Sequence, residues 1–272
     1  MSFDGFENDN QEGQPARAYR FTLGDAAWRY VTSERDLVIG GKTWKAVPIS
    51  DDGVKLSGDT NSDALTITAP SDIGPALMFR GTPPSRRVGI TIFNYHRSEN
   101  QMHAEYVGEV SQVDQPQPGV ATLMCESLFA SMQRDGLRLS WQRACPYALY
   151  DTRTCRVNKE SFGVDAVLAT AAHGIVTSNA LTAKENGYFS GGMVTWEHPV
   201  RGLEFRAIEE HVGDQLKMFG DSDGMYEGLI VRAYPGCNRS ATHCRDRFDN
   251  WINFGGCPDL DGTNPFDGNP VF

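Results

Sequence analysis

Positive charge is scarce in this sequence. Lys and Arg total 25 against 35 Asp and Glu, a formal charge of −10 over 272 residues. Specific nucleic-acid binding is therefore not expected, because neutralising phosphates takes a basic face. No apolar run approaches the ~18 residues a membrane span requires, so no membrane contact is expected. The opening segment MSFDGFENDNQEGQPAR has neither the basic start nor the apolar core of a secretory signal, which points to synthesis and folding in the cytoplasm. Heptads, low-complexity tracts and repeats of fixed period are missing too.

Catalytic patterns are equally scarce. Gly41-Lys42-Thr43 lacks the first glycine of a phosphate loop, Asp36 standing in its place. The segments 221–224 (DSDG) and 259–262 (DLDG) carry Gly at the fourth position and lack the terminal Glu of a calcium loop. There is no His-x-x-x-His pair, no nucleophile elbow and no paired carboxylates. An enzyme is not expected.

What the sequence does have is strand grammar. From Tyr19 the apolar residues come in short runs broken by Gly, Pro and Asp, as in AYRFTL, DLVIGGKTWKAVPI, ALTITA and RVGITIFNY. Gly40-Gly41 reads as a tight hairpin and Gln115 to Gly119 as a longer turn. A short helix is expected over Ser71 to Phe79, capped by Ser71 or Asp72. A second strand series follows Cys155 and includes a hairpin turn at Gly191-Gly192. Between the series, residues 131–160 lose the period of two and gain charge. The expected organisation is a flexible arm at 1–15, a β-barrel or tube-like N-terminal domain at 16–138, a smaller β domain at 139–260 and a tail at 261–272. The fold class is mainly β.

Six cysteines stand at 125, 145, 155, 237, 244 and 257. Cys145 and Cys155 enclose nine residues, and 81 residues further on Cys237 and Cys244 enclose six. Both pairs lie in irregular segments flanking one β domain, and compact domains often bring their ends together. Zinc ligand pairs usually enclose two to four residues, whereas a larger cluster tolerates wider loops, and all-thiolate ligation suits iron–sulfur chemistry. By spacing alone an iron–sulfur site leads, while zinc, disulfides and unrelated thiols remain open. Arg143, Arg153, Arg156, Arg232, Arg239, Arg245 and Arg247 surround the pairs and could offset an anionic cluster. Cys125 reads as core, Cys257 as an apolar filler with a fifth or alternate ligand as the other reading, and His243 as a surface or supporting residue.

CPYALYDTRTCRVNKESF (145–162), GYFSGGMVTW (187–196) and PGCNRSATHCRDRFDNWINFGGCP (235–258) resemble the C-terminal half of the phage tail-tip hub family, which includes lambda-like tail-tip proteins and gene transfer agent hubs. The resemblance is strong over residues 140–260. It implies a [4Fe-4S] cluster on Cys145, Cys155, Cys237 and Cys244, with zinc as the alternative metal. The chain departs from the family at Cys257, where relatives tend to carry an aromatic residue. By the same resemblance the N-terminal half contributes to a ring continuing the tail tube. A homotrimer is implied, joining the distal tail protein ring to a central tail fibre or baseplate protein, with the tape-measure protein's C-terminus as a further contact. The location implied is the virion tail tip, with DNA passing through the lumen.

Overall fold

A computed structural model describes residues 15–54, 64–96, 101–128 and 139–260. The expected C-terminal tail, and all of the expected arm except Pro15, lie outside the described residues. The chain divides into two compact units, one of residues 1–134 with 197–204, the other of residues 135–196 with 205–272.

Nine strands form the first unit's sheet: β1 (Pro15–Leu23), β2 (Ala26–Val31), β3 (Leu37–Ile39), β4 (Lys42–Ala46), β5 (Ser50–Asp51), β6 (Leu65–Pro70), β7 (Val88–His96), β8 (Gln101–Gln117) and β9 (Val120–Ser127). Their order is β3-β4-β2-β1-β7-β8-β9-β6-β5, and the sheet curls around a core. Alternation decides what enters it. Leu65, Ile67 and Ala69 of β6 face Cys125, Leu123 and Ala121 of β9, and all six are buried. The opposite face of β1 buries Ala16 and Ala18 with Ile39, Trp44 and Tyr95. Inside, Tyr19 donates to Asp51 Oδ2 at 2.6 Å while Arg17 Nε lies 2.9 Å from the same oxygen, so the buried carboxylate is paired.

Local turn chemistry holds at Gly40-Gly41, whose φ values of 57° and 71° suit a type I′ hairpin between β3 and β4. The turn expected over Gln115 to Gly119 shrinks to Pro118-Gly119. Strand β8 runs on through Pro116, Gln117 pairs with Val120, and Gly119 takes φ 85° as a type II turn requires. The helix expected over Ser71 to Phe79 covers only Gly74–Met78 (α1). A turn closed by the Ile73 N–H on the Pro70 carbonyl comes first, so neither Ser71 nor Asp72 caps it.

The second unit holds β10 (Val164–Val167), β11 (Thr170–Ala172), β12 (Ile175–Thr177), β13 (Met193–His198), β14 (Gly202–Val212), β15 (Gln215–Met218) and β16 (Ile230–Tyr234), in the order β10-β16-β13-β14-β15-β12-β11. Val194 and Trp196 of β13, Ile208 of β14 and Val231 and Ala233 of β16 build its core with Phe189 and Leu181. After β16 the chain forms an eight-residue helix, α2 (Ala241–Phe248), which the sequence reading did not anticipate. Gly191-Gly192 is not a hairpin turn. It runs into β13 and presses against the chain leaving β16, where a Cβ on Gly192 would sit 2.0 Å from the Tyr234 carbonyl oxygen. Gly192 serves a backbone crossing, while Gly191, where a Cβ would meet nothing, takes φ 72° in the turn that the Gly192 N–H closes on the Phe189 carbonyl.

Candidate metal centre

Two irregular segments and α2 bring four cysteines to one place. Cys145, Cys155, Cys237 and Cys244 line a single cavity of about 100 Å³, walled by Tyr147, Leu149, Val157 and Phe248. Cys145 is tied directly to the second cysteine segment, its N–H donating to the Arg239 carbonyl at 2.9 Å. Cys155 sits behind a turn built on Asp151, whose Oδ2 accepts from the Thr154 N–H at 2.8 Å and the Arg153 N–H at 3.2 Å. Hydrogen bonds from Thr154 hold that carboxyl below the usual range. Tyr150 closes the arrangement by donating to the Pro235 carbonyl at 2.6 Å, with its ring edge-on to Tyr234 and Phe248.

Cys244 reaches the cavity because Ser240 starts α2 correctly. Its Oγ accepts from the His243 N–H at 3.2 Å, the expected use of Ser at an N-cap. Cys244 and Phe248, one turn apart, are the buried residues of that helix.

All six cysteines carry free thiols. Burial pushes the Cys244 thiol up to about 11, with Cys237, Cys145 and Cys155 adding to the rise. Burial likewise raises Cys237, opposed by the Arg239 N–H that donates to its Sγ at 3.3 Å.

Among the described residues, no three His, Cys, Asp or Glu side chains converge tightly enough to hold a single metal ion. One zinc ion at ~2.3 Å from each of four sulfurs would draw them into mutual contact. Four thiols lining one cavity are a donor set that zinc or an iron–sulfur cluster could use. The donor set fits an iron–sulfur cluster on three counts: four thiols and no carboxylate or histidine among the lining residues, apolar walls, and a backbone N–H directed at a sulfur. Tyr150, Arg156, Arg239 and Asp249 take left-handed backbone conformations with φ of 66°, 61°, 62° and 46°. Each costs about 1 kcal/mol, and such strain persists where the surroundings over-determine the chain.

The remaining sequence candidates disperse. Of the seven arginines, only Arg239 lines the cavity. Arg232 pairs with Glu160 and Asp165, Arg245 with Asp246, and Arg247 with Glu185 and the Tyr188 ring. Cys257 does not line it; its N–H bonds the Gln142 carbonyl. Cys125 belongs to the other unit's core. The His243 ring contacts the Gly236 carbonyl and Phe248, and burial lowers its pKa. Sequence reasoning gave no role to Gly236 or Asn250, and read Gly191 only as part of a hairpin turn. The only signal for Asn250 was its place at the end of the resembling Phe248-x-Asn250 stretch.

Residues 8–158 match the family described as baseplate hub protein, N-terminal attachment domain. Residues 187–264 match the family described as phage conserved hypothetical protein BR0599. An uncharacterized protein of Xylella fastidiosa (strain 9a5c) is 32% identical over 117 residues, which is 43% of this chain and 24% of that protein. The match thus spans about a quarter of that relative's length. Among solved structures, a chain from the virion of the native gene transfer agent particle superposes with a TM-score of 0.81. It covers 100% of this chain and 96% of that one at 17% identity, a likeness of fold.

Proposed function

The chain belongs to the baseplate hub protein family, a component of the phage tail in the virion, and from that premise we propose that it is a tail-tip hub whose second unit is stapled by an iron–sulfur cluster. The observation that carries the cluster is the convergence of Cys145, Cys155, Cys237 and Cys244 on one cavity from segments 81 residues apart. Those four residues would hold a [4Fe-4S] cluster as thiolates, and the bound cluster supplies iron–thiolate bonds that tie the two segments together. The chain's own groups do the rest. Tyr147, Leu149, Val157 and Phe248 limit water, the Arg239 N–H offsets charge at Cys237, and Tyr150 anchors the first segment to the end of β16. Metal-binding free energy becomes folding free energy in such a site, which suits a structural part without a large core beneath those loops.

As a structural hub, the protein assembles with other tail proteins. We place three copies in a ring that joins the distal tail protein ring to a central fibre or baseplate protein, with the tape-measure C-terminus as a neighbour. Closed symmetry is the common way for one chain to cover its exposed sheet edges, and the first unit's sheet has such edges at β3 and β5. The charge of −10 supports DNA sliding through the lumen rather than binding there.

The test is anaerobic purification with iron, sulfide and zinc assays. About four irons and four sulfides per chain are expected. Colourless protein with one zinc per chain would establish the zinc alternative and reject the cluster.

A further inference from the structure

Asn250 is a buried polar residue, 8% exposed, at the edge of the cysteine cavity. Its side-chain Nδ2 donates to the Cys155 carbonyl at 2.6 Å and lies 3.9 Å from Cys155 Sγ, within the looser reach of a sulfur acceptor. Its main chain engages the other cysteine pair. The Asn250 N–H donates to the Cys244 carbonyl at 3.1 Å; the Cys244 thiol, while protonated, donates to the Asn250 carbonyl at 3.3 Å, a bond that a ligating thiolate gives up. Asn253 Nδ2 in turn donates to Asn250 Oδ1 at 2.7 Å and fixes the orientation of the amide.

The helix end explains how one residue does both. Asp249 ends α2 in a left-handed conformation with its N–H on the Arg245 carbonyl, the bond of an αL cap, and the Asn250 N–H reaches back one residue further, to the Cys244 carbonyl. That reversal turns Asn250 from the helix toward the Cys155 loop. An apolar residue could fill the space. A buried amide costs free energy unless its polar atoms are partnered, and here main chain and side chain alike are used.

We infer that Asn250 is the positioning residue of this site, tying the Cys145–Cys155 segment to α2 and supplying an N–H to the Cys155 sulfur that sets the reduction potential of the group the thiols hold. The inference rests on the cluster reading given above. A donor aimed at a ligating sulfur stabilises the more negative, reduced state, so its loss moves the potential down.

The experiment compares full-length wild type, Asn250→Asp and Asn253→Ala, purified anaerobically. Iron and sulfide content, the rate of iron release to a chelator, the thermal midpoint and the midpoint potential by spectroelectrochemical titration are measured. Asn250→Asp keeps the shape but replaces the donor with an acceptor. It is expected to release iron about tenfold faster and to shift the balance between redox states at least tenfold toward the oxidised form, about 59 mV for one electron. Asn253→Ala leaves Asn250 in place without its orienting donor, adds no charge, and is expected to move both readouts in the same direction by less. It keeps the test decisive if Asn250→Asp does not fold. Variants with lowered thermal midpoints but wild-type potentials overturn the inference and leave the cluster standing. Wild type without iron and sulfide overturns both.

Discussion

Gly236→Ala is the sharpest structural test of the site. A Cβ at position 236 would sit 2.1 Å from the Ser190 carbonyl oxygen, 2.4 Å from the Gly191 carbonyl carbon and 2.6 Å from the Gly192 nitrogen. All three are backbone atoms, so no side chain can swing away. Restoring ordinary contact at 3.4 Å requires the two chains to part by about 1.3 Å. Overpacking of that kind costs roughly 1–3 kcal/mol, a fall of roughly 4–10 °C in the thermal midpoint of a unit this size. The site suffers more than the stability. Gly191 lines the cavity on one side of the crossing, and Cys237 follows Gly236 on the other. A ligand set loosened by ~1 Å commonly fails to hold its group. Iron per chain, measured beside the thermal midpoint, is expected to drop by half or more. Full iron content with an unchanged midpoint would refute the close-approach argument.

The cysteines themselves divide cleanly. Cys155→Ser and Cys244→Ser are expected to lose iron and destabilise the second unit, while Cys125→Ser and Cys257→Ser retain it; a colourless Cys257→Ser beside a brown Cys155→Ser would reject the ligand set. Alkaline stability tests the first unit. Burial pushes the Cys125 thiol from 9.0 up to about 12, so it stays neutral in the fold while the unfolded chain ionises. Stability from this group is thus complete below pH 9 and lost as pH rises toward 12, by at most ~4 kcal/mol. The urea midpoint is expected to fall between pH 8 and 10.5, and Cys125→Ala is expected to fall less steeply. Equal slopes for the two proteins would show that the thiol is not held neutral.

Strand periodicity and turn chemistry were legible because both are local. An alternation such as Leu65, Ile67, Ala69 states which face is buried without knowing the partner strand, and Gly40-Gly41 states its turn type without knowing the fold. Helix α2 was not legible, since ATHCRDRF places only Cys244 and Phe248 on its buried side and offers no apolar stripe to read. Gly191-Gly192 misled for a related reason. A glycine pair marks permissive backbone, and only the position of the chain leaving β16 turns that permission into a crossing instead of a hairpin.

The sequence alone determined that the chain is mainly β, acidic, and supplied with two cysteine pairs, because composition and a period of two survive without any tertiary contact. That Cys145, Cys155, Cys237 and Cys244 share one cavity, that of the seven neighbouring arginines only Arg239 lines it, and that Asn250 bridges the two pairs were decided by tertiary structure. Each depends on contacts between residues tens of positions apart, such as Cys145 with Arg239 and Asn250 with Cys155. Local preference cannot encode the closure of loops that long; only burial of the core between them brings their ends together.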